Sequence, residues 1–173
     1  VTPRVSWKAH RGDPKGCGGT DYTGFRSEAY FADLDDISRR GDSALLEIPV
    51  TIVPSSHPAV PWVRRPLERV PRAHQAFNRL LPAVHWLRPN GRTREILVRM
   101  VQDGARAGRG YLQFMLHSSE LMPGGSRRFS GKAHIEALYR DLEALFAVAR
   151  ETCVGATLQQ YYDHLAVQRL QCV

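Results

Sequence analysis

The stretch that most constrains this chain is Tyr111–Ser126, YLQFMLHSSELMPGGS. It begins as a short apolar run, Tyr111–Leu116, of the length and bulk expected of a buried strand. Four polar residues follow at once, His117, Ser118, Ser119 and Glu120, and then a Pro-Gly-Gly-Ser turn at Pro123–Ser126. A histidine placed where a buried strand emerges is mounted on a rigid element and still faces a cleft. In α/β folds, ligands gather outside the carboxyl ends of strands. His117 is therefore the first candidate for chemistry.

The rest of the chain reads as alternating strand and helix. Ala44–Val53 is β-branched and stops at Pro54, so it predicts a strand; Pro49 within it predicts an edge position or a bulge. Glu47 in that apolar run needs a partner or solvent, because an unpaired buried charge is costly. Thr93–Ala107 predicts a helix, capped by Thr93 or Asn90 and closed by Gly108 and Gly110. Its Ile96, Leu97, Met100 and Val101 share a face. With the strands on either side it makes one crossover unit, expected to set those strands parallel.

A second helix runs from Ser130 or Gly131 to about Ala149. Ile135, Leu138, Leu142, Leu145, Phe146 and Ala149 recur at helical spacing, and Glu136 and Arg140 form an i, i+4 pair on another face. Thr157-Leu158-Gln159-Gln160 is a capping box for a last helix reaching Gln168, with Leu158, Tyr161, Tyr162 and Leu165 turned inward. Residues 1–43 read as a long irregular loop carrying Trp7, Tyr22, Phe25, Tyr30 and Phe31. Such a loop either lines a cleft, where sugar rings would stack on its aromatics, or is pinned to the core by them. Residues 55–90 are a Pro- and Arg-rich insertion holding Trp62 and Trp86, with a short helix expected over Ala73–Leu81.

Met115-Leu116-His117 resembles the L-x-H motif of the polysaccharide deacetylase (NodB-like) family. His117–Ser126 is similar to an H-S-x-x-L-x-P-G-x-S/T run of one branch of it. Leu45–Thr51 resembles the L-x-E-x-P-V strand upstream of that histidine, and Val1-Thr2-Pro3, Arg11–Pro14 and Gly19–Tyr22 resemble the segment after the family's middle motifs. The match spans most of Val1 to His164, in order. The resemblance implies a distorted (β/α) barrel and a hydrolase that removes acetyl groups, mostly N-acetyl, from sugars. A divalent metal, usually zinc, would be held by an aspartate and two histidines, a second aspartate would act as base, and His117 would be the general acid.

The departures are as informative. The chain has no T-F-D-D-G run, no two of its seven histidines are four apart, and no R-x-P-Y-like run stands where one is needed. No metal ligands are assigned. The expectation is a partial or distorted α/β barrel over one domain, 1–173, resembling the C-terminal half of a deacetylase and inactive alone. The substrate is expected to be a carbohydrate, contacted by Trp7, His10, Tyr22, Ser118 and Glu120. Self-association, or pairing with a missing N-terminal half, is the alternative use: a non-catalytic assembly module with an exposed sheet edge.

Composition narrows this further. The net charge of +7 invites a nucleic-acid reading. The basic residues, however, are spread from Arg4 to Arg169, with a mild cluster between Arg64 and Arg109, and no nucleic-acid motif accompanies them. Nucleic acid is not expected as a partner. The sequence has no apolar run of about 18 residues and no leader-like start, so no membrane is expected. Cys17, Cys153 and Cys172 fit neither a zinc knuckle nor a redox pair and suit a reducing, cytoplasmic compartment.

Overall fold

The computed structural model describes residues 24–55, 81–82 and 84–171, with scattered positions between 66 and 77. Its contacts divide the chain into two compact units, residues 1–88 with 113–115, and residues 89–112 with 116–173.

The described strands of the first unit are β1 (Tyr30–Phe31), β2 (Leu46–Glu47), β3 (Ile52–Pro54) and β4 (Val84–Trp86). They pair antiparallel as β1 with β2 and β3 with β4, so the parallel arrangement expected of a crossover unit is not seen among the described residues. Nor do these two-stranded sheets by themselves form a barrel. The single strand expected over Ala44–Val53 is broken into β2 and β3, with Pro49 between them. Proline has no N–H for a ladder, which accounts for the break. Pro54 closes β3, opposite Val84, rather than lying beyond it. Neither β1, inside the expected N-terminal loop, nor β4, inside the insertion, was predicted. Both are only two or three residues long, too short for a period to register.

Tyr30 is 2% exposed and donates its hydroxyl to the carbonyl of Ile37 at 2.6 Å. This ring pins the 32–43 turn to the first unit, so for Tyr30 the packing role holds. Glu47 stands directly across from it in the β1–β2 pair.

The predicted strand Tyr111–Leu116 is not a strand. It is a half-buried segment of which Gln113–Met115 joins the first unit through individual hydrogen bonds. Thr51, 2% exposed, is their hub. Its N–H donates to Gln113 O (2.9 Å), its hydroxyl accepts Gln113 N–H (2.9 Å), and its carbonyl accepts Leu87 N–H (2.8 Å). Met115 N–H then donates to Leu87 O at 3.2 Å. A hydroxyl stands where a regular ladder would present a carbonyl, so the pairing does not propagate into a strand.

The second unit is helical. Helix α1 spans Arg94–Arg106 and buries Leu97, Met100 and Val101, the face read from the sequence. Gly108 (φ 62°) follows its end, with N–H bonded to Ala105 O. Helix α2 runs Lys132–Thr152, longer than expected. It has no internal Gly or Pro and is rich in Ala, Leu, Glu and Arg, all good helix formers. Ile135 and Leu138 form a core with Phe129, against which Leu116 and Leu142 pack. Leu145 is buried too, but Phe146 is 52% exposed, against expectation. Helix α3, Leu158–Gln171, opens with the expected capping box: Thr157 N–H donates to Gln160 Oε1 (2.8 Å), and Gln160 N–H to Thr157 Oγ1 (3.2 Å). It buries no residue fully, and Leu158, expected inside, is 65% exposed. Tyr161 sits against Tyr111 with ring centroids 5.5 Å apart.

The start of α1 is held in an unexpected way. Thr93 is its N-cap but makes no side-chain cap of its own. Instead Asp141 of α2, 3% exposed, accepts at Oδ2 the N–H groups of Gly91 (2.7 Å), Asn90 (3.3 Å) and Thr93 (3.3 Å) and the Thr93 hydroxyl (3.4 Å). One buried carboxylate thus does from a neighbouring helix what a local cap does. Gly91 (φ 77°) makes the approach possible, its missing Cβ leaving room beside Ala137.

Candidate functional site

His117 lies on a tight, self-bonded turn. It precedes the 3-10 helix Ser118–Leu121 and has an extended backbone (φ −90°, ψ 139°). Glu120 N–H donates to His117 O at 2.9 Å, and Glu120 Oε2 accepts His117 N–H at 3.2 Å. The turn closes on itself beyond that point. Met122 N–H reaches Ser119 O, Gly125 N–H reaches Met122 O (3.0 Å), and Gly124 N–H reaches Phe129 O (2.7 Å). Gly125 lies flush against the carbonyl of Ser119, where a Cβ would collide with the oxygen. Phe129, 1% exposed, anchors the far end in the helical core.

The outcome is a fixed platform with His117, Ser118 and Ser119 exposed on it. Glu120 does not. It is 6% exposed, and its carboxylate serves the backbone of the turn. That bond gives Glu120 a structural role in the turn. His117 and Ser118 are adjacent and accessible. Trp7, His10 and Tyr22 lie outside the described residues, as do Arg11 and Asp13.

Among the described residues no three of His, Cys, Asp and Glu are grouped so as to hold an ion. Cys153 is a free, half-buried thiol. No described helix is long and apolar enough to cross a membrane.

The sequence reading missed one feature of the second unit, Asp141. The signal was there. Leu138, Asp141, Leu142 and Leu145 share one helical stripe, and a carboxylate on an apolar stripe must find donors. The expected Glu136–Arg140 ion pair, in contrast, is absent from the described contacts.

No protein-family model matches the chain, and neither does a curated protein or a solved structure.

Proposed function

We propose that the chain takes part in the removal of N-acetyl groups from a glycan, a hydrolysis of a C–N amide bond, with His117 as the proton donor. The observation that supports this reading is the mounting of His117: an exposed imidazole on a turn locked by the buried Glu120, directly after a segment tied to Thr51 and Leu87. Amide cleavage needs the leaving nitrogen to be protonated as the C–N bond breaks. An imidazole suits that task because its ring nitrogen can carry a proton and hand it to the leaving group. Ser118 beside it offers a hydroxyl to a sugar. A NodB-like centre would also use a divalent metal, and the described residues do not fit one, so no step is assigned to it. A partial or distorted (β/α) barrel remains the architecture this reading implies for the intact centre.

The test is acetate release from N-acetylated chito-oligosaccharides with added Zn²⁺, for the chain and for His117→Ala. The reading expects no release from the chain by itself. Release that disappears in His117→Ala would uphold the acid and place a complete centre in the chain. Release that survives the substitution would overturn the role of His117.

A second reading, an assembly module, is favoured by exposed apolar side chains on and beside the last two helices. Phe146 (52%), Val154 (94%), Leu158 (65%) and Leu170 (78%) are all unburied. Sedimentation velocity discriminates, since a strictly monomeric chain would argue against it.

A further inference from the structure

The start of α1 and the middle of α2 enclose a shallow cavity of about 270 Å³, all of it within the second unit. Gly91, Arg92, Arg94, Glu95, Arg140 and Asp141 line it. The three arginines have no ion pair or side-chain hydrogen bond among the described residues; Arg92 uses only its backbone N–H, on Asn90 Oδ1. All three are exposed, as are Glu95 and, one turn before Arg140, Glu136.

The placement of two of them is electrostatically unfavourable. Arg92 and Arg94 flank the N-terminus of α1, the positive end of its dipole, where cations are disfavoured and anions favoured. Asp141 offsets part of this, but its Oδ2 is already shared among the N–H groups of Asn90, Gly91 and Thr93. The three guanidinium groups outnumber the two carboxylates, so the cavity carries an excess positive charge. Guanidinium forks match the oxygens of phosphate in bidentate pairs, which a single carboxylate partner does not saturate.

We propose that this cavity is a binding site for a small phosphate-bearing molecule, held by Arg92, Arg94 and Arg140. Glu95 sits where it would accept a hydroxyl of the ligand and would disfavour a second anionic group. The cavity is slightly smaller than typical ligand pockets, which start at about 300 Å³. That size suits a single phosphate with a small hydroxylated body rather than a nucleotide. The site is distinct from the His117 turn and does not rest on the deacetylase reading.

The test is calorimetric or ³¹P NMR titration at low ionic strength, with inorganic phosphate as first probe and a hexose phosphate as second. Saturable one-site binding is expected, weakened roughly tenfold by Arg94→Ala or Arg140→Ala, since each removes one charge-assisted fork. The hexose phosphate should bind more tightly than phosphate and lose that advantage in Glu95→Ala. Both arginines are exposed, so the variants should keep the wild-type melting temperature. Absence of saturation would overturn the proposal. So would equal binding by a variant lacking all three arginines, which would assign phosphate to the general charge of +7. A hexose phosphate no tighter than phosphate would overturn the role of Glu95.

Discussion

Glu120 Oε2 accepts the backbone N–H of His117 at 3.2 Å from a side chain that is itself 6% exposed. The carboxylate holds the chain at His117 while leaving the imidazole outside. Glu120, expected as a substrate contact, stands three residues after His117, the spacing of a helix-capping pair.

Glu120→Ala should therefore cost stability, about 1–3 kcal/mol for a buried donor left without its acceptor. Glu120→Gln should cost less, because the amide oxygen can still accept. Urea denaturation of the two variants checks the order. Equal loss in both would show that the charge, and not the hydrogen bond, is what the turn needs.

Asp141 should matter more. Asp141→Ala strips one acceptor from three N–H groups and a hydroxyl at the start of α1, and a loss of about 2–4 kcal/mol is expected, above the usual cost of a single cap. Asp141→Asn should recover part of it. Amide hydrogen exchange at Gly91 and Thr93 should accelerate in Asp141→Ala. Unchanged exchange there would show that Asp141 does not cap α1.

Gln113 supplies the opposite case. Its Oε1 is buried and has no hydrogen-bond donor among the described residues. Gln113→Met keeps the length of the side chain and removes an orphaned acceptor. It should be neutral or stabilising by up to about 1 kcal/mol. A clear loss of stability on thermal unfolding would mean that a donor reaches Oε1.

The alkaline limb of stability should belong to two tyrosines. Burial, and then the charge of Glu47 across the strand pair, raise the pKa of Tyr30; burial raises that of Tyr161. The fold thus prefers the neutral phenols. Their contribution is complete below the unfolded value of about 10 and is lost as pH rises through the folded values above it. The melting temperature should fall above roughly that pH. Tyr30→Phe should start lower, having lost the bond to Ile37, but fall less steeply. An identical alkaline slope in Tyr30→Phe would remove Tyr30 from the account.

The helices were legible because their signals are long. The apolar stripes of α1 and α2, and the Thr157–Gln160 box, carry enough periods or fixed spacings to read directly. The strands were not. Tyr111–Leu116 has the composition of a buried strand, but Thr51 offers it a hydroxyl in place of a carbonyl, and no pattern within 111–116 records that. Asp141 stood visibly on the apolar stripe of α2, but the donors it finds were hidden, since they lie some fifty residues away, on the 90–93 loop. The exposure of His117 ahead of a turn was legible, since Glu120 and the Pro123–Gly125 turn act locally, but the strand expected to carry it is not there.

The central claim is that His117 faces an N-acetylated sugar. The most direct measurement is ¹H–¹³C NMR of the histidine rings during titration with an N-acetylated chito-oligosaccharide. His134 and His164, both exposed on helices α2 and α3, serve as internal controls. The account predicts a saturable shift of the His117 ring resonance with the two control rings unmoved. A His117 ring that does not respond, or that moves only in step with the controls, would contradict it.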